Sequence, residues 1–255
     1  MDEMFVGIMA EFFDRFISDD EYEVRAEKAL AHIRRNNPNA KDFLELACGT
    51  GGFTRQLVKA GFKVTATDIS PDEIQIARTK QIEASFAVAD MSKLDGREMY
   101  DVVGCFWESF RYLPTFQVCQ DTLHRIAKAL RPGGMFLADF ACFSPTKQPI
   151  DLPAKTIDVG DGLLVTQQVT LQTKGDYDVR SDRIKYERNG EDITGDEILW
   201  HGKKTLLKQT MTRMPQIRIT KERMKEMLEK AGFKVLTIEG GFNGYPESTL
   251  FVAQK

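Results

Sequence analysis

Three groups of residues have types and spacings suited to binding a nucleoside. The first places one carboxylate and three small residues at alternate positions: Glu45, Ala47, Gly49 and Gly51. Small residues let the backbone approach a ligand closely. The second and third groups are Asp68 with Ile69 and Asp90 with Met91. A carboxylate can accept hydrogen bonds from two ribose hydroxyls or from the exocyclic amine of adenine, and the neighbouring apolar side chains could enclose the ring. Together these groups predict an adenosine pocket.

The elements that position these groups are short apolar runs that alternate with helical patterns. The predicted strands cover residues 43–47, 63–67, 86–89, 102–106, 135–140, 234–238 and 249–253. In an open α/β sheet, ligands bind beyond the carboxyl ends of the strands, where all three groups fall. The last connection is too short for a crossover helix, so the last strand should pair antiparallel with its predecessor. The pattern predicts a doubly wound, Rossmann-like seven-stranded sheet with an antiparallel last strand.

Composition excludes several classes of protein. A chain of 255 residues with 42% hydrophobic residues can bury one sizeable core, and a net charge of −3 does not favour a nucleic-acid partner. Its four cysteines are far apart, which indicates reduced thiols and a cytoplasmic protein, and neither they nor the three histidines predict a metal site. No apolar run approaches the roughly 18 residues that span a bilayer, so we expect no membrane partner.

Two segments carry a resemblance to a known family. Phe43–Gly51 resembles the first motif of class I S-adenosylmethionine-dependent methyltransferases, and Leu130–Met135 resembles the turn before their fifth strand. Ala47 stands where that family most often has glycine. The resemblance implies S-adenosylmethionine as cofactor and S-adenosylhomocysteine as product. It further implies that Glu45 and the two glycines surround the methionine portion, Asp68 holds the ribose and Asp90 the adenine.

Nearly the whole chain is similar to small-molecule N-methyltransferases that act on nucleotide-linked amino sugars. Residues 5–14 resemble their amino-terminal covering helix, and Tyr22 falls where they have an aromatic residue near the cofactor. Residues 105–113 resemble the segment that faces their acceptor, and we assign Phe106 to the cofactor site.

The chain is therefore predicted to be one structural domain with an insertion. Alternating stretches and turn signals between about Lys155 and Arg218 predict antiparallel strands, which correspond to the lid of those enzymes. The exposed strands of this lid could pair two subunits as a homodimer. The predicted divisions are a helical cap at 1–37, core segments at 38–148 and 216–255, and the lid at 149–215.

Catalysis of methyl transfer mainly requires positioning, because the sulfonium donor is already activated. Effective molarities of well-oriented reactions correspond to about 7 to 11 kcal/mol of barrier. An ammonium acceptor must first lose a proton, and Glu108 and Tyr112 are the candidate catalytic residues. The alternative for Glu108 is an ion pair with Arg111, and the alternative for Tyr112 is packing under the next helix. Trp107, Glu108 and Arg111 are larger or more charged than the residues common in the resembled enzymes. The sequence therefore allows either a nitrogen or an oxygen of a small molecule as the methylated atom.

Competing functions differ in their motifs. A nicotinamide-dependent dehydrogenase would carry G-x-G-x-x-G, whereas Thr54 occupies the third glycine position here. A nucleic-acid methyltransferase would carry an Asn-Pro-Pro-Tyr segment after the fourth strand, where residues 106–109 read Phe-Trp-Glu-Ser. A non-catalytic adenosyl-binding module would keep the glycine turn and both aspartates, so sequence does not separate it from an enzyme.

Overall fold

The computed structural model describes residues 8–142, 144–145, 148–200, 203–207, 211–242 and 247–255. Its helices are α1 (Ile8–Phe16), α2 (Asp19–Asn36), α3 (Gly52–Lys59), α4 (Pro71–Thr79), α5 (Phe116–Ala129) and α6 (Lys221–Lys230). The first five strands are β1 (Asp42–Leu46), β2 (Lys63–Asp68), β3 (Ala84–Val88), β4 (Tyr100–Cys105) and β5 (Leu130–Ala141). The next eight are β6 (Ile150–Asp151), β7 (Lys155–Asp158), β8 (Leu163–Lys174), β9 (Tyr177–Arg188), β10 (Glu191–Asp192), β11 (Glu197–Trp200), β12 (Lys203–Leu206) and β13 (Met211–Ile217). The last two are β14 (Lys234–Gly240) and β15 (Ser248–Gln254).

Residues 19–144 and 217–255 form one compact unit around a seven-stranded sheet. The strand order is β14-β15-β5-β4-β1-β2-β3, with β15 antiparallel to both of its neighbours. This confirms the predicted α/β class and the antiparallel last strand. Fully buried side chains from central strands and helices, among them Phe43, Leu57, Val102 and Leu137, form its core.

Local sequence signals set where the helices of this unit begin. Ser70 caps α4 by accepting a hydrogen bond from the backbone N–H of Glu73 at 3.3 Å, with Pro71 opening the first turn. Threonines do the same for two later helices: Thr115 accepts from Val118 N–H at 3.2 Å and Thr220 from Arg223 N–H at 3.1 Å. Each cap fixes the point where a loop leaves the sheet and the helix starts.

The amino end of the parallel strands is held by a carboxylate. Asp101, at the start of β4, accepts hydrogen bonds from the backbone N–H groups of Lys41 (2.8 Å) and Asp42 (2.9 Å). Its other oxygen accepts from Arg131 at 2.7 Å. These contacts join β1, β4 and β5 at the edge of the sheet opposite to the predicted nucleoside pocket.

Residues 1–18 and 145–216 form the second compact unit, of which the described part is mostly antiparallel. β8 and β9 are paired along their full length of 12 residues each, and β6, β7, β10 and β13 add to this pair. Phe12 and Phe16 of α1 pack with Val165 and Tyr186 of the sheet. The antiparallel insertion was predicted from the alternating pattern.

The two amino-terminal helices belong to different units. The predicted cap covers residues 1–37, whereas the contacts place α1 with the antiparallel unit and α2 with the sheet unit. Of the described helices, none is long and apolar enough to cross a membrane.

Candidate functional site

The turn between β1 and α3 has the backbone of a ligand cradle. Gly49 and Gly51 have φ angles of 55° and 85°, in the left-handed region that favours glycine. A Cβ on Gly49 would lie 2.9 Å from Oε2 of Glu73, and one on Gly51 would lie 3.1 Å from Ile82. Gly51 is the N-cap of α3. Because glycine has no side-chain acceptor, it does not cap the first backbone N–H groups of this helix. The glycines are therefore required by conformation as well as by space.

Ala47 shares this left-handed conformation, with φ at 54°. For an L-residue with a Cβ this region costs about 1–2 kcal/mol. The sequence identified Ala47 as a small residue in place of glycine, and the structure adds that its backbone is strained.

Asp68 connects the end of β2 to the glycine turn. Its Oδ2 accepts a hydrogen bond from Gly49 N–H and its Oδ1 one from Ser70 N–H, both at 2.9 Å. Burial raises the pKa of Asp68, and the hydrogen bonds from Ser70 and Gly49 oppose that rise. The backbone N–H of Ile69 is a third donor to this carboxylate. A carboxylate has about four acceptor sites, so the group can still accept from a ligand hydroxyl.

Glu45 lies below the glycine turn and is buried. Thr54 Oγ1 donates to its Oε2 at 2.5 Å. Burial raises the pKa of Glu45 to about 8, the hydrogen bond from Thr54 lowers it and the charge of Asp68 raises it further. The carboxyl is therefore mostly protonated at neutral pH.

The predicted adenine residues follow β2 and β3. Asp90 caps a short 3₁₀ turn at Met91–Lys93: its Oδ1 accepts from the backbone N–H of Ser92 at 2.9 Å and from its Oγ at 2.7 Å. Burial acts to raise the pKa of Asp90, but hydrogen bonds from Ser92 and Lys93 outweigh it and lower the pKa. Ile69 is 55% exposed, and it presents an apolar surface beside Asp68. Asp90 therefore caps this turn. Its contact with adenine stays a prediction.

An aromatic layer joins α2, α3 and the segment after β4. A Cβ on Gly52 would collide with the ring of Tyr22, so this ring packs directly on the first residue of α3. The same ring lies 4.7 Å, centroid to centroid, from that of Trp107. Phe106 packs against Phe53 with ring centroids 4.1 Å apart and the ring planes tilted by 31°. The structure therefore brings Tyr22 and Phe106 to the same end of the sheet as the glycine turn.

The acceptor-side residues predicted from the sequence lie in a strained loop. Trp107 and Glu108 have φ angles of 57° and 63°, two consecutive left-handed residues that both carry a Cβ. Strain of this kind clusters at functional sites. Glu108 Oε2 accepts from Arg111 Nη1 at 2.9 Å, and Arg111 is 1% exposed with its Nε bonded to the carbonyl oxygen of Ile217 at 3.2 Å. Glu108 thus has the ion pair considered as its alternative role, and Tyr112 is half-buried.

Sequence reasoning missed two charged residues of this site, Arg25 and Asp139. The guanidinium of Arg25, one turn after Tyr22 on α2, lies 3.8 Å from the ring centroid of Trp107. Asp139 is completely buried in β5, and its Oδ1 accepts from Trp107 N–H at 2.9 Å. A lone carboxylate inside an otherwise apolar strand was the signal that could have identified Asp139.

The register of the sheet puts these groups at one level. Thr67, Leu46, Cys105 and Ala138 are partners across β2, β1, β4 and β5. The residues that directly follow this row are Asp68, Ala47, Phe106 and Asp139. Two carboxylates, the glycine turn and the aromatic layer therefore meet at the carboxyl edge, where open α/β sheets bind ligands.

The histidines that the structure describes bond to residues outside this site. His32 Nε2 is 2.9 Å from Glu239, and His124 Nε2 is 3.2 Å from the carbonyl oxygen of Lys230. Phe5 and His201 are outside the described residues, and of the Phe13 side chain nothing is described. Within the described ranges, no group of three or more His, Cys, Asp or Glu residues could hold a metal ion.

Comparisons with known proteins point to one class of enzyme. Residues 43–134 match the family model of a methyltransferase domain. A Geobacillus sp. (strain WCH70) protein that carries a methyltransferase name is 27% identical over 96% of this chain and 98% of its own length. The dTDP-3-amino-3,6-dideoxy-α-D-glucopyranose N,N-dimethyltransferase of Streptomyces fradiae is 28% identical over 63% of this chain, which spans 64% of that enzyme.

One solved structure has a similar fold. It is an amino pentose methyltransferase from Micromonospora echinaspora with bound S-adenosylmethionine. The TM-score is 0.74 at 17% sequence identity, covering 100% of this chain and 99% of the other.

We expect Ala47→Gly to stabilise the protein. The change relieves left-handed strain of about 1–2 kcal/mol and costs about 0.5–1 kcal/mol of backbone entropy, so the free energy of unfolding should rise by roughly 0.5–1 kcal/mol. Urea denaturation measures this difference. Ala66→Gly, at a buried position of β2 with ordinary backbone, is the matched control and should destabilise. Equal losses in both variants would contradict the strain at Ala47.

The buried carboxyl of Glu45 predicts a dependence of stability on pH. Because its pKa is raised to about 8, the folded state holds a proton that the unfolded state releases above its ordinary value near 4.5. Stability contributed by this group is therefore lost as the pH rises through that window, by at most ~1.4 kcal/mol per pH unit. Glu45→Gln keeps an acceptor for Thr54 and cannot ionise, so its melting temperature should fall less between pH 5 and pH 9.

Glu27→Gln, on an exposed part of α2, serves as the control for that measurement. It should follow the wild-type curve. If Glu45→Gln also followed that curve, the carboxyl would not be the group that titrates.

Proposed function

We propose that this chain, an S-adenosylmethionine-dependent methyltransferase with its methyltransferase domain at residues 43–134, methylates an amine nitrogen of a small-molecule acceptor. The observation that carries the proposal is the Gly49–Asp68 hydrogen bond of 2.9 Å at the carboxyl edge. It places a glycine cradle and a carboxylate side by side at the ends of adjacent strands. This proximity supports a single donor site that uses both features.

The residues present fit the donor, and we assign them by its chemistry. The cradle formed by Gly49 and Gly51, where a Cβ would press against Glu73 or Ile82, suits the methionine portion of S-adenosylmethionine because bare backbone can approach a ligand closely. Asp68 can accept from the ribose hydroxyls, while Ile69, Asp90 and Met91 are proposed to hold the adenine. Tyr22 and Phe106 would enclose the cofactor from the aromatic layer, and Glu45 would support the turn.

When bound, the sulfonium supplies a methyl group that is already activated for displacement. The chain has to hold an acceptor nitrogen in line with the carbon–sulfur bond and to exclude water. The nitrogen lone pair forms the new N–C bond as the S–C bond breaks and its electron pair passes to sulfur. The amine must be uncharged, so its proton leaves to a base before or during transfer. Glu108 and Tyr112 are the proposed acceptor-side groups, and Glu108 would have to exchange its Arg111 partner for the amine.

The relatives favour nitrogen as the methylated atom. The Streptomyces fradiae enzyme is named for N,N-dimethylation of a dTDP-linked amino sugar, and the structural neighbour for an amino pentose. We therefore propose an amino sugar or a similar amine as the acceptor and expect no nucleic-acid partner. A homodimer formed through the antiparallel unit, and a cytoplasmic location, stay proposals.

Methyl transfer can be tested with a matched pair of acceptors. We expect transfer of radiolabel from S-adenosylmethionine to dTDP-3-amino-3,6-dideoxy-α-D-glucopyranose or another primary amine. The analogue with a hydroxyl in place of the amine should not be labelled. Labelling of the hydroxyl analogue alone would favour the oxygen acceptor. Binding of S-adenosylhomocysteine without labelling of any acceptor would favour the non-catalytic module, and stabilisation by NAD alone would overturn the assignment.

Donor binding can be tested at Asp68. Asp68→Asn keeps an acceptor for Gly49 N–H and removes the charge, so it should raise the dissociation constant of S-adenosylhomocysteine at least tenfold, about 1.4 kcal/mol. Asp68→Ala should weaken binding further and lower the melting temperature, because two backbone N–H groups lose their acceptor.

Asp178→Asn is the control for calorimetry of these variants. Asp178 is a buried aspartate of the other unit and accepts from Thr173 Oγ1 at 2.9 Å. The Asp178→Asn variant should bind S-adenosylhomocysteine with the same affinity as the wild type. Unchanged affinity in Asp68→Asn and Asp68→Ala would contradict the ribose assignment.

A further inference from the structure

Asp139 has no assigned role, yet it is the most unusual side chain near the site. It is 0% exposed within β5, whose residues from Met135 to Ala141 are otherwise apolar. Its Oδ1 accepts from Trp107 N–H at 2.9 Å, and its backbone carbonyl accepts from Glu108 N–H at 3.1 Å. One residue of β5 therefore binds both left-handed residues of the loop after β4.

The second oxygen of Asp139 is unsatisfied. Among the described residues Oδ2 has no hydrogen-bond partner, although buried polar atoms nearly always have one. Burial raises the pKa of Asp139 to about 7; the charge of Arg25 and the Trp107 hydrogen bond oppose the rise, and Glu108 adds to it. Such a costly group is not needed for packing, since an apolar residue would fill β5 without the desolvation penalty.

Arg25, on α2, is attracted by the charge of the same carboxylate. Burial lowers the pKa of Arg25, and the attraction of Asp139 is the largest opposing influence, followed by Glu21 and Glu108. Its guanidinium lies over the Trp107 ring, whose other contacts include Tyr22 and Phe53. The charge of Asp139 thus acts on Trp107 twice, through its backbone N–H and through the cation stacked on its ring.

We propose that Asp139 is a positioning residue that holds Trp107 and Glu108 in their left-handed conformation and Arg25 over the Trp107 ring, shaping the acceptor side of the site. Its role in turnover rests on the proposed function. Its role in ordering the loop does not. A neutral side chain at this position should release Arg25 and loosen the ring stack while the glycine cradle and Asp68 keep their geometry.

Fluorescence of Trp107 tests the loop directly. The chain has two tryptophans, so Trp200→Phe leaves Trp107 as the single reporter. In this background, acrylamide quenching should increase as the pH falls from 9 to 5.5, with a midpoint near 7, because protonation removes the charge that holds Arg25. Asp139→Asn, which is nearly isosteric, should show at least twofold stronger quenching at pH 9 and no transition.

Asp101→Asn is the matched control. Asp101 also accepts two backbone N–H groups and one arginine, but at the opposite edge of the sheet. It should lower the melting temperature and leave the Trp107 transition unchanged. Glu108→Gln shows whether the neighbouring carboxyl contributes, and should keep a transition with a shifted midpoint. A transition that persists unchanged in Asp139→Asn would overturn the proposal.

Kinetics separate this proposal from the proposed function. With the amine acceptor that is labelled in the pair test, Asp139→Asn should lower kcat at least tenfold and change the dissociation constant of S-adenosylhomocysteine less than threefold. We expect the wild-type pH profile of kcat to have an acidic limb near pH 7, in addition to any limb from the amine itself, and Asp139→Asn should remove it. A kcat within twofold of wild type would overturn the positioning role. Absence of labelling in the wild type would overturn the proposed function, while the fluorescence result would still decide the role of Asp139 in the loop.

Discussion

The carboxyl edge of the sheet depends on the hydrogen bond between Gly49 N–H and Asp68 Oδ2. It ties the glycine turn after β1 to the end of β2, while the second oxygen of Asp68 fixes Ser70, the residue that caps α4. One buried carboxylate thus sets the direction of two loops and the start of a helix. A bidentate acceptor is needed because the backbone N–H groups in such tight turns have no ladder partner.

Much of the fold and of the donor side could be predicted from sequence because the signals are local. Gly49 and Gly51 mark backbone angles, Ser70 and Thr220 mark helix starts, and Asp68 follows a short run that predicts a strand. The missing crossover helix before β15 predicted its antiparallel direction, which the register confirms. Its place between β14 and β5 was not predicted, because strand order depends on packing across the sheet and not on any neighbouring residue.

The acceptor side could not be predicted to the same extent, because its residues matter through distant contacts. Glu108 was identified from its position after β4, but Arg25 is separated from Trp107 by 82 positions and Asp139 from it by 32, and no local pattern joins them. The strain at Ala47 was also missed, since alanine and glycine look equivalent when only size is considered. Long-range hydrogen bonds and positive φ angles at residues with a Cβ are properties of the folded chain.

The three buried carboxyls Glu45, Asp68 and Asp139 show what this arrangement costs and why it persists. Burial raises the pKa of each, so the folded state loses stability wherever they must ionise. A sheet selected for stability alone would place apolar side chains here, as it does one or two residues earlier in each strand. All three lie within one residue of the row formed by Leu46, Thr67 and Ala138. Each accepts a hydrogen bond of its own: Glu45 from Thr54, Asp68 from Gly49 and Asp139 from Trp107. The same desolvation that weakens the fold strengthens each of these bonds, because the local dielectric is low. A site that must hold a sulfonium and an amine in line needs loops fixed in that way. The loss of folding stability is therefore confined to the end of the sheet where the reaction is proposed to occur.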